Sequence, residues 1–90
     1  MTVITLPPVL DTAAALPLWA DLLDRIGRRQ TVLLDGPAVE RVGLACLQVL
    51  ASAKAAAEAD ALPFAIAAPS DALVAAAELG GLGAVLMPAA

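Results

Sequence analysis

The chain lacks histidine and tyrosine altogether, and it has one cysteine, Cys46, one tryptophan, Trp19, and one phenylalanine, Phe64. Without an imidazole there is no His-based acid–base catalysis, no His metal site and no phosphorelay on histidine. A lone thiol makes neither an internal disulfide nor a thiolate cage for zinc. Lys and Arg number only 5 against 9 Asp and Glu, for a net charge of −4. The basic, aromatic surface that nucleic acid requires is therefore missing too. Asp21, Asp35, Lys54 and Asp71 break every apolar segment before it reaches the roughly 20 residues that cross a bilayer. Met1 begins no basic stretch followed by an apolar one, so no signal peptide is expected. These absences leave a soluble cytoplasmic domain that binds or regulates, with no catalytic, metal or cofactor residues.

What is present is a chain of 90 residues, 61% of them hydrophobic, which fits one small domain spanning the whole length. Val3-Ile4-Thr5-Leu6 is a short β-branched run closed by Pro7-Pro8 and reads as an edge strand. Asp11 or Thr12 is placed to cap a first helix. At helical spacing Leu16, Trp19, Leu22, Leu23 and Ile26 share one side of that helix, opposite Asp21, Asp24, Arg25 and Arg28. Pro17 predicts an irregular first turn, and the helix should stop between Gly27 and Arg29.

Thr31-Val32-Leu33-Leu34, closed by Asp35-Gly36-Pro37, suits a central strand covered by helices. Residues 38–42 read as a short connection. A second helix runs from Gly43 to about Asp60, followed by a buried strand in Pro63-Phe64-Ala65-Ile66-Ala67-Ala68. Ser70 should cap a third helix that ends at Gly80-Gly81. Val85-Leu86 reads as a last short strand. Strands alternating with helices predict an α/β domain with a small mixed sheet and about three main helices.

The second helix carries most of the functional information. Its projection turns Cys46, Val49, Leu50, Ala53 and Ala57 toward the sheet. Leu44, Gln48, Ala51, Ala55 and Glu58 take the opposite face, with Leu47 beside them. Leu44 and Leu47 either tuck under neighbouring loops or, with small Ala51, form a modest apolar contact patch.

The run Val32-Leu33-Leu34-Asp35-Gly36-Pro37-Ala38-Val39-Glu40-Arg41-Val42, continued by Gly43-Leu44-Ala45-Cys46-Leu47-Gln48-Val49-Leu50, resembles the core of a STAS domain. That is the fold of bacterial anti-sigma factor antagonists. The opening Leu6-Pro7-Pro8-Val9-Leu10-Asp11 and the later Ala68-Pro69-Ser70-Asp71-Ala72-Leu73 extend the likeness over nearly the whole chain. Such antagonists carry Asp-Ser-Ser-Gly at the start of this helix, where a partner kinase phosphorylates a serine. Here Leu44 and Ala45 stand in that place, so the resemblance implies a degenerate phosphorylation site on a surface that still docks a partner.

The Gly-Leu-x-Cys-Leu-Gln-Val-Leu flavour is similar to small STAS proteins of alphaproteobacterial chemotaxis operons. It implies a non-catalytic partner of a chemotaxis kinase, docking through Glu40, Arg41, Gly43, Leu44, Leu47, Gln48 and Ala51. A second branch is the small STAS subunit that braces the ATPase of a lipid-asymmetry ABC transporter. A third reading is a phospho-regulated antagonist that uses another Ser or Thr, although Ser52 lies within the helix and Ser70 reads as a cap. The exposed first strand and apolar helix surface also offer a place for a second copy of the chain.

Other candidates have plainer explanations. Cys46 sits in a helix first turn, where the dipole can activate a thiol, but its projection turns it inward. Asp35 has no carboxylate nearer in sequence than Glu40 and reads as a loop-capping residue. Arg25, Arg28 and Arg29 either complement the helix C-terminus or meet an acidic partner or lipid headgroup. Gly80-Gly81-Leu82-Gly83 precedes no helix long enough to organise a phosphate loop.

Overall fold

A computed structural model describes residues 3–86 of the chain. Its elements are β1 (Ile4–Thr5), β2 (Val9–Leu10), α1 (Thr12–Gly27), β3 (Val32–Asp35), β4 (Arg41–Val42), α2 (Leu44–Ala59), β5 (Phe64–Ala67), α3 (Asp71–Leu79) and α4 (Gly83–Leu86). β3 is the centre of a sheet ordered β1-β3-β5. Ile4 pairs with Leu34 on one side, and Val32 pairs with Phe64 on the other. The α/β class, the edge position of the first strand and the three main helices match the sequence reading.

The sheet itself differs in kind. Every strand pair among the described residues is parallel, so it is not mixed. A helix follows each of β2, β4 and β5, and such crossovers return the chain in the same direction. β5 has less cover than expected for a buried strand: Ile66 is enclosed while Ala65 and Ala67 are exposed. Val85-Leu86 belongs to the short helix α4, not to a strand, and Leu86 plugs the core from there.

Residues 38–42 also hold more order than a connection. β4 runs parallel to β2 in a second, two-stranded ladder, with Val9 opposite Arg41 and Leu10 opposite Val42. The Glu40 and Arg41 N–H groups both donate to the Pro8 carbonyl. Because each strand of this ladder leads straight into a helix, it sets the first residues of α1 and α2 side by side.

α1 buries Leu18, Leu22 and Ile26, an i, i+4, i+8 row. Leu16 and Leu23, expected in the core, are exposed instead. Asp11 caps the helix, its Oδ1 accepting from the Ala14 N–H at 3.1 Å. α1, α2 and α3 all end in one way. The Gln30, Leu62 and Leu82 N–H groups reach back to the Arg25, Ala57 and Ala77 carbonyls, and Arg29, Ala61 and Gly81 take the left-handed conformation. Among the described residues no helix is long and apolar enough to cross a membrane.

Candidate functional site

The paired helix starts form the chemically distinctive end of the molecule. Gly43, the N-cap of α2, brings no side-chain oxygen, and no acidic residue stands in that helix's first turn. Gly43 N–H instead donates to the Leu10 carbonyl at 2.8 Å, closing the β2–β4 ladder. The positive end of α2 thus has no carboxylate at its own cap or in its own first turn, and the nearby Asp11 belongs to the start of α1. A shallow recess of about 400 Å³ opens there, walled by Val9, Leu10, Asp11, Thr12, Arg41, Val42 and Gly43.

Leu44 is the first residue of α2 and 61% exposed, a large apolar group standing beside that recess. Ala45 follows it, half-buried, so neither position offers a hydroxyl. Glu40, Arg41, Gly43 and Gln48 are exposed around Leu44, which brings together five of the seven residues expected to dock a partner. Ala51 is half-buried at the edge of the group.

Leu47 does not belong to the exposed set. It is 4% exposed and packs inward. A Cβ added to Gly80 would lie 3.4 Å from the Leu47 Cδ1, which locates Leu47 against the end of α3. The physical reason is α4, which covers this flank of α2 and is held there by the Lys54 ammonium donating to the Val85 carbonyl. With Val85-Leu86 read as a strand, that cover was not visible.

Val49, expected in the core, is half-buried and faces α1. It lines a groove of about 240 Å³ between the helices, together with Ala15, Leu16, Trp19, Ala45, Gln48 and Ser52. Sequence reasoning missed the groove because Leu16 and Trp19 were assigned to the core. The available signal was the Leu18-Leu22-Ile26 row, which competes with Leu16 for the inward side of α1.

The remaining candidates settle into structural roles. Cys46 is fully buried, and its Sγ donates to the Asp11 carbonyl at 3.2 Å. Burial, and then the Asp11 carboxylate, push this thiol above its ordinary value, the opposite of an activated nucleophile. Arg28 pairs with Asp24 at 3.1 Å, and the Arg29 Nη2 donates to the Asp60 carbonyl at the end of α2. The Ser70 Oγ accepts from the Leu73 N–H at 3.0 Å, as a cap should. Asp35 closes β3, its main-chain oxygen accepting from the Leu6 N–H.

A family model described as "Mlab, STAS domain" matches residues 1–88. No curated protein and no solved structure matches the chain.

Proposed function

The chain belongs to the STAS-domain family, and from that premise we propose that it is a non-catalytic interaction module of bacterial signalling, associated with chemotaxis. STAS domains generally mediate protein–protein contacts, and this one docks a kinase-type partner through the start of α2. Leu44 supplies apolar burial, Gln48 extends the contact along the helix, and Glu40 and Arg41 set orientation at the rim. Gly43 allows close approach, and Ala51 lies at the margin. The family's phosphoserine position is lost, because Leu44 and Ala45 accept no phosphoryl group. The docking is therefore constitutive.

The observation that supports this reading is the 61% exposure of Leu44 at a helix start that has no side-chain cap. A buried leucine there would have left nothing for a partner to cover. The description of the matching family model favours a second reading, in which the chain is the STAS subunit bracing the ATPase of a lipid-asymmetry ABC transporter.

Pull-down from purified components tests both. The tagged chain is presented with a chemotaxis sensor kinase in one arm and with the transporter ATPase in the other. Retention of the kinase by the wild type and its loss with Leu44→Asp are expected. Retention of the ATPase alone moves the chain to the second reading. Unchanged retention by Leu44→Asp rules out docking through α2. Intact-mass measurement after incubation with kinase and ATP should show no added phosphoryl group, whereas a gain of one would establish a switch at another Ser or Thr.

A further inference from the structure

Two contacts hold the far end of α4 in place. Of its four residues only Leu86 is buried, while Ala84 and Val85 are exposed. The second hold is the Lys54 ammonium of α2, which donates to the Val85 carbonyl. The Val85 and Leu86 N–H groups reach no farther than the Leu82 carbonyl, one turn back. A single helical turn has little stability of its own, so the position of α4 rests on the Leu86 side chain and the Lys54 bond. The chain enters it through Gly81, at φ 74°, where a Cβ would meet nothing within 4 Å. That entry is free to bend.

Beneath α4 lies the continuation of the stripe on which Leu44 stands. Leu44, Leu47, Ala51, Lys54 and Glu58 recur along α2 at spacings of three and four and so share one side of it. Exposure along that stripe changes within one turn, from 61% at Leu44 to 4% at Leu47. Leu47 meets the Gly80 end of α3, and α4 lies against α2 farther along, where Lys54 reaches it. Ala51, between them, is half-buried. The stripe is thus open at its start and closed by the chain's own helix beyond it.

With docking at the start of α2 as its premise, the geometry points to α4 as a strap that competes with the partner for this stripe. When the strap lifts, Leu47 and Ala51 join Leu44 in one apolar face. An aliphatic side chain of the kinase-type partner then takes the seat that Leu86 leaves. Docking stays constitutive, and the strap sets its strength, because apparent affinity scales with the fraction of molecules that are open.

The experiment uses the full chain, with the purified chemotaxis sensor kinase as the probe. In the free protein the Val85 and Leu86 amides should exchange hydrogen at least about ten times faster than the Leu50 amide of the core. Adding the kinase should speed exchange at Val85 and Leu86 further, since a partner on the stripe keeps the strap off. Leu86→Ala, outside the stripe, and Lys54→Ala should each tighten kinase binding by about tenfold. The second variant reads the same opening from the surface, should the first not fold. Protection of Val85 and Leu86 by the kinase overturns the proposal, as does exchange there at the rate of Leu50. Binding that Leu44→Asp abolishes but neither strap variant changes overturns the strap alone and leaves docking at α2 standing. If neither the wild type nor either strap variant binds the kinase, the docking premise itself is refuted and the strap falls with it.

Discussion

The Cys46 Sγ donates a hydrogen bond to the main-chain oxygen of Asp11 at 3.2 Å, joining the first turn of α2 to the N-cap residue of α1. The bond spans 35 residues of sequence and joins Asp11, which directly follows β2, to Cys46, in the helix that follows β4. It therefore fixes the relative position of the two helix starts on which the docking surface stands. The thiol that the helix projection turns inward is a tie between secondary-structure elements.

That tie has a pH signature. The unfolded thiol ionises near its ordinary value of 9.0, whereas burial and Asp11 raise the folded one. Since the folded pKa is the higher, the thiol's contribution is fully present below pH 9.0 and is lost as pH rises toward and through the folded value. The stability difference between wild type and Cys46→Ala, measured by urea denaturation, should stay level from about pH 6 to about pH 8 and shrink above about pH 9. A difference that stays constant through the alkaline range would show that the thiol titrates alike in both states.

Two leucines three residues apart should behave oppositely. Leu44→Asp removes an exposed apolar group and puts a carboxylate in the first turn of α2, which has none of its own, so stability should be unchanged or rise by about 0.5 kcal/mol. Leu47→Ala empties an enclosed site between α2 and the end of α3 and should cost about 2–5 kcal/mol. Denaturation midpoints of the two variants check this directly. Similar losses in both would mean that Leu44 is covered in solution.

The same pair shows how far the sequence could be read. Helix starts were legible because Asp11 and Ser70 act locally, each through a hydrogen bond three residues along the chain. The central strand was legible because Val32-Leu33-Leu34 is an apolar run with a sharp exit at Gly36-Pro37. The β2–β4 ladder was not, since two residues have no period and the exposed Arg41 hides the strand. Periodicity also has two solutions on α1 and α2, because both helices are apolar on more than one side. Leu16 was thus exchanged for Leu18, and Leu47 was taken for an outward residue. Which solution holds is decided by distant elements, β3 for one helix and α4 for the other.

Gly36 is fixed by close packing between the sheet and α3. Its N–H donates to the Ala67 carbonyl, and its own carbonyl accepts from the Ser70 N–H. A Cβ there would meet the Leu73 Cδ2 at 3.1 Å, with Ile66 and Pro69 at 3.4 Å. Leu73 is fully buried and has little room to withdraw. Gly36→Ala should therefore cost about 1–3 kcal/mol, read as a lower urea midpoint. An unchanged midpoint would mean that Leu73 can move aside.

The shared ending of the three main helices makes the last prediction. α3 ends with glycine in the left-handed position, Gly81 at φ 74°, but α2 places Ala61 there at φ 57°. An L-residue pays about 1–2 kcal/mol for that conformation because its Cβ crowds the following carbonyl. Ala61 is exposed, so its methyl group offers little packing in return. Replacing it by glycine removes the crowding and keeps the bonds from Ala61 N–H to the Glu58 carbonyl and from Leu62 N–H to the Ala57 carbonyl. Glycine also loosens the unfolded chain, which offsets about 0.4–1 kcal/mol. The net expectation for Ala61→Gly is a gain of about 0.5–1 kcal/mol, seen as a higher urea midpoint with an unchanged slope. Arg29 at φ 56° is a poorer place to look, because its guanidinium also holds the Asp60 carbonyl and glycine would remove that contact. A lower midpoint for Ala61→Gly would show that α2 does not end in the left-handed turn.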